Sequence, residues 1–228
     1  MTAPAAPTDT GTATSSADRA KTTHAGLGAD DVVEAALAIV ESDGGDALTM
    51  RRLASDLGVT TTTIYWHIGN RDELVLALIG KMADRLADAE VTGDTAQQRV
   101  TSAATNIWRN ALEHRNVTAL ASQVGATTLL ELPLEVALLA ELEAAGLRGH
   151  AARDAMRSIL MCIAGFLIGA WRSDDRVPED LRATALWAKV SDDRVSAEST
   201  SAMANPGDLE PVCEMTLAAV VAGLVPGD

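Results

Sequence analysis

Apolar residues recur along most of the chain at three- and four-residue intervals, and no stretch alternates as a half-buried strand would. Val33, Leu37 and Val40, with Ala36, predict a helix from about Ala29 to Asp43, broken by Gly44-Gly45. Thr49 stands as an N-cap before Leu53, Ala54 and Leu57, and Gly58 closes this short helix because glycine takes a left-handed C′ conformation at little cost. Val59 is an apolar turn residue. A second short helix follows from Thr60 to Ile68, with Ile64 and Ile68 as its core residues and Gly69-Asn70 as its stop. Leu74, Leu78, Met82 and Leu86 predict a helix from Arg71 to about Glu90, and Asp72 and Glu73 suit its N-terminal dipole. Val91 to Asp94, with Gly93, reads as a joint.

Beyond that joint the helical period continues. A helix over residues 95–115 carries Val100, Ala103, Ala104, Ile107, Trp108 and Leu112. A shorter one from Asn116 to about Val124 stops at Gly125. The next runs from about Thr128 to Ala145, with Pro133 in or near its first turn and Gly146 at its end. Gly149-His150 opens a helix that reaches Trp171, and its segment Ile159 to Trp171 has no charge. That segment is shorter than the about 20 residues a membrane span needs. It is bounded by Arg157 and Arg172, so a helix buried on all sides is expected, with no membrane partner. Gly165 and Gly169 permit the close approach of the same helix from a second subunit. Pro178 opens a helix to about Val190, residues 191–208 read as a mobile loop, and a last helix from about Leu209 to Leu224 carries Val212, Cys213, Leu217, Val220 and Val221.

Composition narrows the class. Apolar residues make up 47% and aromatics 3%, which favours closely packed helices over sheets. Residues 1–25 are Thr-, Ala-, Ser-, Pro- and Gly-rich, a disordered tail without the apolar run of a secretory signal. Its Arg19, Lys21 and His24 are either a flexible arm along DNA or simply solvated. Cys162 and Cys213 lie in apolar surroundings and read as reduced thiols of a cytoplasmic protein. The net charge of −14 argues against a protein that coats nucleic acid non-specifically. Between Asp46 and Arg71, however, Arg51, Arg52 and Arg71 outnumber Asp46 and Asp56. His24, His67, His114 and His150 lack a second His or Cys at metal-ligand spacing, and there is no phosphate-binding glycine loop or nucleophile elbow. No catalytic residue, cofactor or metal is assigned. Asp174-Asp175 and Asp192-Asp193 read as solvated turn residues.

The second short helix is poor as a folding unit, with four consecutive threonines and no strong helix former. Neighbours must hold it, which leaves its outer face free to present hydroxyls, a phenol, an indole and an imidazole to phosphates and base edges. Leu48-Thr49-Met50-Arg51-Arg52-Leu53-Ala54, Leu57-Gly58-Val59, and Ile64-Tyr65-Trp66-His67-Ile68 with Asn70-Arg71 together resemble the helix-turn-helix of the tetracycline-repressor (TetR) family of transcription regulators. By motif the resemblance covers about residues 28 to 90.

The resemblance implies an all-α chain in three parts. These are the tail 1–25, a helix-turn-helix DNA-binding domain with its linking helix over 26–92, and a ligand-binding and dimerisation domain over 93–228. It implies that Arg51 contacts guanine, that Thr61, Thr62 and Thr63 touch phosphate or thymine methyls, and that Tyr65 and His67 contact phosphate. Arg71 resembles a phosphate anchor, and Thr49 and Thr60 complete the set. Trp66 reads equally as a backbone contact or a core residue. The acids Asp30-Asp31 give the first helix no DNA role. An effector pocket is implied in the helical body, with Trp108, Met156, Leu160 and Trp171 as walls and Gln123 or His114 as polar contacts. Val117 to Ala121 lacks the histidine that holds drug-bound magnesium in the namesake repressor. The helices at about 150–171 and 209–224 would pair with their copies in a homodimer. The function implied is a repressor bound to double-stranded operator DNA and released by a small molecule. The alternative is a helical small-molecule-binding or enzymatic domain with a non-functional DNA head.

Overall fold

The computed structural model describes residues 27–171, 177–205 and 207–227. The tail with Arg19, Lys21 and His24, and the Asp174-Asp175 pair, lie outside the described residues. Within them the chain is helical, without a strand: α1 (Ala29–Asp43), α2 (Met50–Asp56), α3 (Thr61–Ile68), α4 (Arg71–Leu86), α5 (Ala96–Glu113), α6 (Arg115–Gln123), α7 (Thr127–Ala144), α8 (His150–Trp171), α9 (Ala183–Trp187), α10 (Ala197–Ala204) and α11 (Leu209–Leu224). Short 3₁₀ turns cover Gly45–Ala47 and Glu179–Leu181.

Local chemistry sets where the head helices start. Thr49 accepts the Arg52 N–H at 3.1 Å, and Thr60 accepts the Thr63 N–H at 3.2 Å. Asn70 and Glu73 form a reciprocal capping box, Glu73 N–H to Asn70 Oδ1 at 2.9 Å and Asn70 N–H to Glu73 Oε2 at 3.0 Å. Asn70→Ala should therefore lower unfolding stability by about 1 kcal/mol, read from the urea midpoint at unchanged slope.

α1 to α4 form the head, around a core that includes Val32, Leu37, Val40, Leu48, Leu53, Ile64, Leu74 and Leu78. This core continues without a break into the body, where α4 and α5 pack on α7, and α11 packs on α5 and α8. At the join, a Cβ on Gly45 would meet Leu120 Cδ1 of α6 at 2.8 Å. The Glu41 backbone carbonyl accepts from Asn116 at 2.8 Å. The head is thus seated on α6 as well as carried by α4.

Several expectations are corrected. α4 ends at Leu86, short of Glu90, because Asp88 and Glu90 oppose the negative end of the helix dipole. Pro133 sits well inside α7, beyond its first turn; the buried Leu130, Leu134, Leu138 and Leu142 carry the helix past the missing N–H. The helix expected from Pro178 to Val190 is split into a 3₁₀ turn and the short α9 by an extended Arg182 (ψ 147°). The loop expected over 191–208 contains α10, capped by Ser196. Neither α9 nor α10 has a buried residue, so the apolar period there reports no core. α8 is not buried on all sides: Ala152, Ala155, Ile159 and Ile163 face the core, while Met161 (70% exposed) and Ile168 (69%) stand bare beside Gly165 and Gly169. α8 is long and apolar enough to cross a membrane by length and composition, a test that a core helix also passes.

Candidate nucleic-acid interface

The α2–α3 turn is closed by backbone bonds, Gly58 N–H to Ser55 O at 3.2 Å and Val59 N–H to Ala54 O at 2.9 Å. Gly58 takes φ +68°, a conformation that favours glycine. Leu53, Ala54 and Ile64 are buried beneath it, and Ile68 packs partly buried against the same core. The opposite face of α3 is open. Thr61 and Thr62 are exposed, Tyr65 is 51% exposed and Trp66 81%. Trp66 is therefore not a core residue of the chain; its ring meets that of its neighbour His67 edge-on, at 4.9 Å between centroids.

The expected contact residues divide by how far the fold already uses them. Arg51 is exposed and forms no ion pair with a described residue. Its neighbour Arg52 is bound to Asp43, and to Asp56 at 3.6 Å. Thr61 and Thr62 keep their hydroxyls free of bonds to described residues. Thr49 and Thr60 are caps, and Thr60 and Thr63 share a hydroxyl contact at 3.0 Å. Arg71 donates from Nε to Leu48 O and from Nη2 to Gly45 O, both at 3.2 Å. It ties the start of α4 to the loop before α2, a tertiary role its place in the motif did not reveal.

The head is braced across α1 and α4. Lys81 pairs with Asp30 and, at 2.9 Å, with Glu34, and Arg85 reaches Glu34 at 2.6 Å. The Lys81 hydrogen bond, then that of Arg85, holds the Glu34 carboxyl below its ordinary 4.5, and Arg52 holds Asp43 below 3.8. Depressed carboxylates stabilise a fold above their ordinary pKa, and the contribution is lost as pH falls through the depressed values. The melting-temperature gap between the native chain and Glu34→Gln should thus be open at about pH 7 and close as pH falls through the depressed value, below the ordinary carboxylate range. These pairs are exposed, so the gap should be small and should shrink in salt.

None of the six expected effector contacts lines the small void or the open groove that follow. Trp108 is 1% exposed, edge-on to Phe166 at 5.9 Å, and its indole N–H finds no acceptor among the described residues; the same holds for the Trp171 N–H. Met156 and Leu160 are partly buried on α8. His114 joins α5 to α6 and meets Glu41 at 3.0 Å, at the seat of the head. Gln123 is exposed at the end of α6. A small, partly open void of about 10 Å³ lies between Leu86, Ile107, Asn110, Ala111, Thr118, Leu130, Glu131 and Leu134. Asn110, Thr118 and Glu131 were not picked out by pattern; polar residues on otherwise apolar faces were the available signal. An open groove of about 790 Å³ between α5, α11 and the α4–α5 link is lined by polar groups such as Ser102, Asn106 and Arg109, which already bond within the chain. Among the described residues no three His, Cys, Asp or Glu side chains gather as a metal site would require.

Comparison with known proteins agrees with this geometry. Residues 32–78 match the family described as bacterial regulatory proteins, tetR family. Over 92 residues the chain is 33% identical to tetracycline repressor protein class D of Escherichia coli, covering 40% of this chain and 42% of that repressor. The chain therefore spans less than half the length of this curated relative. Among solved structures, SCO7222, a TetR from Streptomyces coelicolor, is 22% identical with a TM-score of 0.68 over 87% of this chain and 97% of that one. ActR of the same organism, in complex with actinorhodin, is 23% identical with a TM-score of 0.61 over 88% and 97%. The head thus carries the tetR-family match, and the fold of the whole is that of the TetR-family structures.

Proposed function

We propose that two copies of this chain bind a near-palindromic operator in the cytoplasm as a repressor, and leave it when a small molecule enters the helical body. The observation that carries this reading is the outer face of α3, where Thr61, Thr62, Tyr65 and Trp66 are exposed on a helix buried only through Ile64. Threonine methyls suit thymine methyls, and Tyr65 and His67 suit phosphates. The free fork of Arg51 suits guanine O6 and N7. A net charge of −14 leaves little general attraction to DNA, so binding depends on these positioned groups.

The bare faces of α8 and α11, with Met161, Ile168, Val212 and Met215, support a two-fold dimer. Two-fold symmetry sets the half-sites as an inverted pair on one side of the duplex. Release requires a ligand that prefers the state with wrongly spaced heads. α4 is suited to transmit it, since it joins the DNA head at Arg71 to the void at Leu86. The reported complex of ActR with actinorhodin supports a small-molecule effector in a body of this fold.

Selection of bound sequences from random duplex DNA at physiological salt tests the reading. A recovered near-palindrome supports it. Recovery of nothing by a folded dimer, with and without candidate effectors, overturns it and leaves the helical body as the functional part.

A further inference from the structure

We propose that the effector is a lipophilic organic cation, held by the Glu131 carboxylate at the void between α4, α5, α6 and α7. This rests on the regulator reading and names the chemistry of its ligand. Leu86 of α4, Asn110 of α5, Thr118 of α6, and Leu130, Glu131 and Leu134 of α7 line the partly open void. Apolar walls with a few convergent polar groups are the composition of a small-molecule site. At about 10 Å³ it has room for roughly one water, so an organic ligand must widen it.

Glu131 is the charge inside this wall. Its carboxylate forms no ion pair or hydrogen bond with a described residue, whereas Glu141 on the same helix is answered by Arg99 at 2.9 Å. Arg85, next to Leu86, is engaged with Glu34, and Arg109, next to Asn110, with Glu210 and Glu214. Burial, then the like charge of Glu135, pushes the Glu131 carboxyl above its ordinary range. A partly buried acid without a counter-charge is unfavourable, and an entering cation removes that penalty. An anion would meet the repulsion of both glutamates. The apolar walls require the cation to be lipophilic.

The same geometry links entry to the head. Pro133, two residues from Glu131, withholds an N–H from the α7 ladder and so weakens that wall beside the carboxylate. Leu129, Leu132 and Val136 lie exposed along the outside of α7, an apolar approach to it. Leu86 is the last residue of α4, so widening the void displaces the helix that carries α3.

Calorimetric titration of the full chain, without DNA, with tetraphenylphosphonium and with tetraphenylborate tests this with ions of one shape and opposite charge. The phosphonium should bind and the borate should not. Glu131→Gln should weaken the phosphonium by about tenfold or more, with the circular dichroism spectrum unchanged. Glu135→Gln, the same change on the same helix, should stay within about threefold. No phosphonium binding, equal borate binding, or an unaffected Glu131→Gln each overturns the proposal, and the first two readings need no variant to fold. Operator binding with no phosphonium binding would leave the regulator standing with another ligand. Phosphonium binding without any operator would leave the pocket and remove the regulator.

Discussion

Replacing Arg51 and Tyr65 together by alanine lowers affinity for the selected operator by at least about a hundredfold while the chain stays folded. The size follows from the contacts removed. A bidentate arginine–guanine pair contributes about 1–3 kcal/mol of discrimination, and a phosphate-bonded hydroxyl about 1 kcal/mol. Each 1.4 kcal/mol is a factor of about ten, and two heads act in the proposed dimer. The fold should not feel the change. Arg51 is exposed without an ion pair to a described residue, Tyr65 is half exposed, and surface changes of this kind usually stay within about 0.5 kcal/mol. The single variants should separate two roles. Arg51→Ala should relax the preference at one base pair, whereas Tyr65→Phe should weaken all sequences alike. Arg52→Ala is the control, since that side chain is engaged with Asp43 and Asp56. Gel-shift titration with thermal melting checks all of this; undiminished operator affinity in the double variant would remove α3 as the reading helix.

What the sequence revealed of the fold follows from how local each signal is. Thr49, Thr60 and Asn70 mark helix starts through bonds to residues three positions on, so α2, α3 and α4 were legible at their N-termini. The same holds for α1 and α11, where a buried stripe coincides with the helix. From Pro178 to Asp208 nothing is buried in α9 or α10, and spacing had no core to report. The outer face of α3 was legible by default, because four threonines do not build a helix for its own sake. Trp66 was not: spacing does not say whether an indole turns inward, and the fold turns it out. The bonds from Arg71 to Leu48 O and Gly45 O join segments more than twenty residues apart, which no local motif encodes. The effector region was the least legible. α7 is apolar on both faces, with Leu130, Leu134 and Leu138 inside and Leu129, Leu132 and Val136 outside. Which side Glu131 faces was therefore open until the neighbouring helices were placed.

Met161→Arg with Ile168→Arg should convert the protein to a folded monomer with little operator affinity. Both side chains stand bare in the single chain, on a helix whose other face holds Ile159 and Ile163 in the core. An apolar strip on α8, continued by Val212 and Met215 on α11, is more than scattered surface residues require. Two arginines there remove no contact within the chain, so helicity should be unchanged, but they bury unpaired like charges when two copies meet. Gly165→Trp is the independent variant. A Cβ at Gly165 meets nothing within 4 Å in one chain, so a large side chain is tolerated by the monomer and obstructs only a close partner. Sedimentation analysis should show both variants at half the native mass. Their melting temperature should become independent of concentration, because subunit association no longer adds to stability. Operator binding should fall by about a hundredfold or more, since each head then binds its half-site without the effective concentration that linkage supplies. A variant that stays dimeric would place the subunit interface elsewhere. The inverted half-site spacing would then have to be derived from that other surface, and the α8 face would need a different occupant.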